Sequence, residues 1–163
     1  MASNVELIIF DGGSLKAVPT GAIVVRLPGG LGAIPVTGEL MTDLAARPDD
    51  ERVHRGWILS QQVCGLAQDL SAGRRVLYVA GETFGNLCCQ EAIGWQDAQL
   101  VYGPSGTCDH ENDRQEGYRV VRRADSAINV GLRMMGVRAA DGLDEYAAAG
   151  LDRRRFTSDW PED

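Results

Sequence analysis

Histidine is scarce in this chain, and that scarcity narrows the catalytic chemistry it can support. The sequence holds only His54 and His110. A serine or cysteine nucleophile activated by an imidazole would therefore depend on one of these two residues. His54 lies in a charged segment ahead of a predicted helix, and His110 lies in an acidic loop. Neither has the neighbours of a catalytic base, so we expect both to be surface histidines.

The chain also lacks a long apolar run and a cluster of basic residues. No apolar stretch approaches the roughly 20 residues that a membrane-spanning helix needs, and no basic segment precedes an apolar one near the start. These absences predict a cytoplasmic protein with no membrane segment. A net charge of −7 and a pI near 4.8 argue against direct nucleic-acid binding. The same charge favours a basic protein partner, although solubility alone would also select it.

Motifs for phosphate chemistry are incomplete. Asp11 ends an apolar run, but the second aspartate that phosphatases with such a nucleophile need two residues later is replaced by Gly13. Gly30 and Gly32 have Pro35 where the third glycine of a dinucleotide-binding loop would stand. The sequence therefore predicts a turn at Asp11 and a connection between strands at the glycine-rich segment.

Short apolar runs separated by turn residues are abundant, and several segments have helical periodicity. Strands are predicted at Val5–Phe10, Ala22–Val25, Ala33–Val36, Val76–Ala80, Ala92–Trp95, Leu100–Tyr102 and Tyr118–Val121. Helices are predicted at Glu39–Ala46, Trp57–Leu70, Ser126–Met135 and Leu143–Ala149. Together they predict one α+β domain over residues 1–163, with a mixed or mainly antiparallel sheet and two to four helices packed against it.

The segments between these elements have turn and loop compositions. Gln96–Gln99 predicts a tight turn between two strands, and Glu82–Asn86 predicts a loop after a break at Gly81. The polar segment Thr107–Gly117 predicts a surface loop. Asp125 is the expected N-cap of the helix that follows it. We expect Phe156 and Trp160 in the tail to anchor it to the body of the protein.

The four cysteines are expected to be reduced thiols, since no signal sequence is evident. Cys88, Cys89, Cys108 and His110 have the composition of a structural zinc site. Adjacent residues of an extended chain point to opposite faces, so at most one of Cys88 and Cys89 would reach a common metal. We therefore predict no metal and no cofactor. A small thiol- or zinc-dependent enzyme built on this cysteine group stays open as an alternative.

Two segments carry a family resemblance. Val76–Gly85, with Gln90 and Trp95, resembles a strand–loop–strand pattern of small actinobacterial proteins, in which Phe-Gly-Gly-x-Gly-x-Gln follows a strand that ends in an acid. The C-terminal half of the same proteins is similar to Ile128–Val137, Asp144–Tyr146, Gly150-Leu151 and Thr157–Trp160. The chain departs from the pattern at Asn86 and Cys88, where the family has glycine. These proteins resemble the small acidic immunity proteins that accompany secreted bacterial toxins.

The resemblance, together with the acidity and the missing catalytic motifs, implies a non-catalytic protein that binds and masks a toxin. Two loops, 82–90 and 109–116, are the expected contact regions. The candidate binding residues are Glu82, Phe84, Asn86, Gln90, Asp109, Glu111 and Asp113. A structural or regulatory interaction domain would have the same sequence features, so it remains a further alternative.

Overall fold

A seven-stranded sheet lies at the centre of the protein. The computed structural model describes residues 3–12, 14–45, 57–84, 87–111 and 116–162. The strands are Ser3–Phe10 (β1), Val25–Arg26 (β2), Gly32–Pro35 (β3), Arg75–Phe84 (β4), Leu87–Gln96 (β5), Gln99–Cys108 (β6) and Tyr118–Val120 (β7). Their order is β2-β3-β1-β4-β5-β6-β7, and all neighbours are antiparallel except β6 and β7, which are parallel. The sheet is therefore mixed.

Helices cover both faces of this sheet. They are Gly38–Leu44 (α1), Gln61–Leu70 (α2), Ala127–Met134 (α3) and Glu145–Ala148 (α4). The front face, to which Tyr78 and Ile93 point, packs against α1 and α2. The back face, to which Val79 and Ala92 point, packs against α3 and the C-terminal segment. This arrangement confirms the predicted α+β class with helices on a sheet.

Alternation along the central strand explains why its sequence is apolar at every position. In β4, Val76, Tyr78 and Ala80 enter the front core, while Leu77 and Val79 enter the back core. A strand with one solvent-exposed face would alternate apolar and polar residues, but a strand that is covered on both faces does not. The run from Val76 to Ala80 is therefore the signature of a strand between two helical layers.

The central strand is longer than the sequence predicted. The expected loop at Glu82–Asn86 is wrong for its first three residues, because β4 continues to Phe84. Glu82 pairs with Asn4 of β1 on one side and with Cys89 of β5 on the other. Pairing on both sides keeps this polar segment extended despite its composition. Asn86 lies outside the described residues.

Other element boundaries also differ from those predicted from the sequence. Thr107 and Cys108 were expected in a surface loop but are buried in β6. The helix predicted from Trp57 begins at Gln61, and the N-cap of α3 is Ser126 in place of Asp125. The predicted tight turn between β5 and β6 is confirmed, with Asp97 and Ala98 at φ values of 50° and 61°.

The C-terminal tail is anchored through one of its two large aromatic residues. Trp160 is completely buried in the back core, and the Arg153 guanidinium lies 5.3 Å from the centroid of its ring. Phe156 is 43% exposed, so its side chain is not the anchor that the sequence predicted. The Phe156 backbone nevertheless forms a β-bridge to Asn4 of β1. Among the described residues, no helix is long and apolar enough to cross a membrane.

The thiol of Cys64 on α2 makes part of the stability of this fold pH-dependent. Burial, and then the charges of Glu6 and Glu91, raise the pKa of Cys64 from 9.0 to about 12. The unfolded chain releases this proton near pH 9, whereas the folded chain holds it to about pH 12. The stability contribution is therefore complete below pH 9 and is lost as the pH rises through this window.

We expect the free energy of unfolding of the wild type to fall more steeply than that of Cys64→Ala between about pH 9 and pH 12. The difference should approach about 1.4 kcal/mol per pH unit, and it should vanish below this window. Urea denaturation of both proteins across the pH series measures it. Parallel stability curves for the two proteins would contradict the raised pKa.

Candidate functional site

Two adjacent residues of β5, Gln90 and Glu91, place polar side chains on opposite faces of the sheet. Glu91 points to the front face, in the same row as Ala80 of β4 and Gly106 of β6. Gln90 points to the back face and pairs in register with Thr107. Each of these polar side chains meets the segment that starts a helix. β5 is therefore the centre of the candidate site.

On the front face, the carboxylate of Glu91 is completely buried and accepts hydrogen bonds from three groups. The backbone N–H of Ile58 donates to Oε1 and Oε2 at 2.9 and 2.5 Å, and that of Leu59 donates to Oε2 at 3.0 Å. The hydroxyl of Tyr118 donates to Oε1 at 2.5 Å. Through these hydrogen bonds, the Glu91 carboxylate holds the segment that leads into α2 and ties it to β7.

A second carboxylate–tyrosine pair lies beside the first. The hydroxyl of Tyr78 donates to Glu6 and accepts from the backbone N–H of Ser60 at 3.2 Å. Burial, and then the charge of Glu6, raise the pKa of Tyr78 well above its usual value. Burial, and then the hydrogen bond to Glu91, raise the pKa of Tyr118 as well. Both tyrosines stay protonated at neutral pH and act as hydrogen-bond donors to carboxylates.

A small residue in β6 makes room for the Tyr118 ring. A Cβ on Gly106 would lie 2.6 Å from the nearest Tyr118 ring atom and 3.3 Å from Trp57. The indole N–H of Trp57 donates to the backbone carbonyl of Glu116 at 3.2 Å, and the Trp57 and Tyr118 rings meet edge to face. The residues that lead into β7 are thus fixed to the front core.

The back face repeats the arrangement with neutral side chains. The Gln90 Oε1 atom accepts from the backbone N–H of Ile128 at 3.2 Å, and the Thr107 hydroxyl accepts from that of Ala127 at 2.9 Å. These two N–H groups belong to the first turn of α3, where no intrahelical acceptor exists. Gln90 is only 9% exposed, so the structure removes it from the contact surface that the sequence predicted.

The candidate contact residues Glu82, Asp109 and Glu111 lie at the end of the sheet where β4 stops and β5 starts. Glu82 is half-buried, while Asp109 and Glu111 are exposed directly after β6. Phe84 is a β4 residue whose side chain is not described, and Asp113, like Asn86, lies outside the described residues.

The cysteine group is partly assembled by the sheet. Cys89 pairs in register with Cys108, so both side chains lie on the front face beside Glu82. Cys108 is buried and His110 is exposed, while the side chain of Cys88 is not described. In the part of the chain that the structure describes, no three His, Cys, Asp or Glu residues are grouped closely enough to hold a metal ion.

Sequence reasoning missed the central role of Glu91 and its partners Tyr78 and Tyr118. One signal was present, since Glu91 directly precedes the apolar residues Ala92 and Ile93 in a predicted strand region. A carboxylate in such a setting is either at a strand end or buried with partners. The partners could not be read from the sequence, because Ile58 and Tyr118 are 33 and 27 residues away from it.

We expect Glu91→Ala to lower the free energy of unfolding by about 3 kcal/mol or more, because each buried donor left without an acceptor costs about 1–3 kcal/mol. Glu91→Gln keeps one acceptor oxygen and should lose less. Chemical denaturation at neutral pH measures both.

Glu111→Ala is the matched control, because it removes an exposed carboxylate. Its effect should stay within about 0.5 kcal/mol. If Glu91→Ala were no more destabilising than Glu111→Ala, the Glu91 carboxylate would not be holding the lead into α2.

Compared with known protein families, with curated proteins and with solved structures, the chain matches none. Its function therefore has to be argued from its own residues. Those residues include buried polar groups that hold the fold together and exposed acidic groups, Asp109 and Glu111, at one end of the sheet.

Proposed function

We propose that this protein is a cytoplasmic, non-catalytic protein-binding protein, and specifically an immunity protein that masks a basic domain of a bacterial toxin. The observation that carries the proposal is the division of its acidic groups. The buried carboxylate of Glu91 is occupied by three protein donors, whereas Asp109 and Glu111 are presented to solvent. Buried carboxylates held by the fold stabilise it, and carboxylates at the surface lie where a partner can contact them.

The proposed contact surface is the acidic end, which we define by Glu82, Asp109 and Glu111. These residues come from β4 and from the segment after β6, so one end of the sheet carries them all. The base of this surface is ordered on both sides. Cys108 pairs with Cys89 of β5, and its carbonyl accepts from the backbone N–H of Val121 at 3.1 Å. A rigid base lowers the entropy that binding would otherwise lose.

Charge supports the choice of a basic partner. The chain carries a net charge of −7, and its acidic residues outnumber its basic ones by 23 to 16. Such a field raises the rate at which a basic protein is captured, and it disfavours nucleic acid as a direct ligand. An acidic surface is electrostatically complementary to a basic toxin domain. The proposal includes no membrane partner.

The alternative, a thiol- or zinc-dependent enzyme, is supported less well by the same residues. Cysteine catalysis needs an accessible thiol with a lowered pKa. Of the cysteines in this group whose side chains are described, Cys108 is 1% exposed and Cys89 is half-buried. His110 is exposed, two residues beyond Cys108. Among the described residues, no three His, Cys, Asp or Glu side chains are close enough to hold the metal that such an enzyme could use.

The proposal is tested with the product of a neighbouring toxin gene as the partner. We expect the wild type to co-purify with that product and to protect cells that express it. A double variant, Asp109→Lys with Glu111→Lys, should bind it about 10-fold more weakly or worse, because repulsion replaces attraction at the contact. Isothermal titration calorimetry and a growth assay measure the two effects.

The matched control is Asp141→Lys with Asp152→Lys, which makes the same change in net charge at exposed positions near α4 on the back face. It should retain binding and protection. Equal losses in both variants would show that only the overall charge matters and would contradict a contact at the acidic end. A wild type that neither binds nor protects would overturn the immunity function itself.

A further inference from the structure

Two cysteines on neighbouring strands lie directly opposite each other. Cys89 of β5 and Cys108 of β6 are register partners in an antiparallel pair, and both are reduced in the structure. Directly opposite residues of two antiparallel strands point to the same face of the sheet. Both cysteines pack against the front core, which agrees with this geometry.

The hydrogen-bond pattern shows which kind of antiparallel pair this is. The carbonyl of Cys108 accepts from the backbone N–H of Val121, on the β7 side of β6. In a strand, the N–H and C=O groups of one residue point to the same side, so those of Cys108 point away from β5. Cys89 and Cys108 therefore form a non-hydrogen-bonded pair, for which the Cα atoms are about 4.5 Å apart and the side chains approach closely.

That separation lies at the short end of the range that a disulfide accepts, about 4.4–6.8 Å between Cα atoms. A bond formed there needs little movement of the backbone. Because the geometry is near its limit, the bond is also easily reduced. A pair of this kind suits reversible oxidation better than permanent structural cross-linking.

We propose that Cys89 and Cys108 are a redox modification site, at which a low-molecular-weight disulfide such as oxidised glutathione converts the two thiols into a cross-strand disulfide. The exposures of the two residues set the order of events. Cys89 is half-buried and is reached first, and Cys108 is 1% exposed and resolves the intermediate. This chemistry does not depend on the proposed function.

The reaction balances in two exchange steps. The Cys89 thiolate attacks one sulfur of oxidised glutathione, which forms a mixed disulfide and releases one glutathione thiolate. The Cys108 thiol then loses its proton to solvent and attacks the Cys89 sulfur, which releases the second glutathione thiolate. The two protein thiols are oxidised by two electrons, and the reagent is reduced to two glutathione molecules after protonation.

The other cysteine with a described side chain provides an internal reference. Cys64 is 5% exposed, and the pKa of its thiol is raised to about 12, so it carries almost no thiolate at neutral pH. It should stay reduced while the pair reacts. The new bond would join β5 to β6 at the base of the acidic end, so oxidation would stiffen the strand ends that carry Glu82 and Asp109.

The experiment uses the folded full-length chain treated with oxidised glutathione at neutral pH. Remaining thiols are then alkylated in denaturant, and the chain is cleaved after glutamate residues. Glu91 lies between Cys89 and Cys108, so their disulfide joins two peptides that dithiothreitol separates. We expect this linked pair in Cys88→Ser with a mass about 2 Da below the sum of the two reduced peptides. In the wild type the same linked pair should carry one further alkyl group, on Cys88. Cys64 should be alkylated.

Two variants, compared with the wild type, decide between the possible pairings. Cys89→Ser should form the linked pair at least about 10-fold less than Cys88→Ser, because only Cys89 lies opposite Cys108. The experiment does not substitute the buried Cys108, so its result does not depend on whether such a variant folds. A link retained in Cys89→Ser but lost in Cys88→Ser, a link between chains, or no link in the folded wild type would each overturn the proposal.

Discussion

The fold depends on one constraint: backbone N–H groups that are buried at the start of a helix must find an acceptor. Two neighbouring residues of β5 supply acceptors on the two faces of the sheet. Glu91 receives the N–H groups of Ile58 and Leu59 ahead of α2, and Gln90 receives that of Ile128 in α3. One strand thereby positions the helical layer on each side of it.

This constraint also divides the polar groups of the molecule by role. Glu91, Tyr78 and Tyr118 are conspicuous because they are buried and ionisable, which is often the mark of an active site. Here Glu91 is hydrogen-bonded to Tyr118 and to the backbone of the segment that leads into α2, and Tyr78 is hydrogen-bonded to the same segment. These hydrogen bonds account for the burial of all three side chains. The surface that we propose for recognition is the acidic end, and the Cys89–Cys108 pair lies at its base.

The sequence predicts what depends on local patterns. The run Val76–Ala80 marked a central strand, and Asp97 sits in the turn that its composition indicated. Prediction from the sequence fails where contacts between residues distant in the chain decide the structure. Glu82 was expected in a loop, yet β1 and β5 hold it in the sheet, and Gln90 was expected at the surface, yet α3 covers it. A single sequence does not show whether a polar residue is buried by a partner that is distant in the chain or stays at the surface.

The central claim is tested most directly by hydrogen exchange of individual backbone amides under native conditions. The amides of Ile58, Leu59, Ala127 and Ile128 precede or open helices, so they have no intrahelical acceptor. If Glu91, Thr107 and Gln90 hold them, they will exchange only through global unfolding, as slowly as the core amides of β4. Exchange at the rate of solvent-exposed amides would contradict the account.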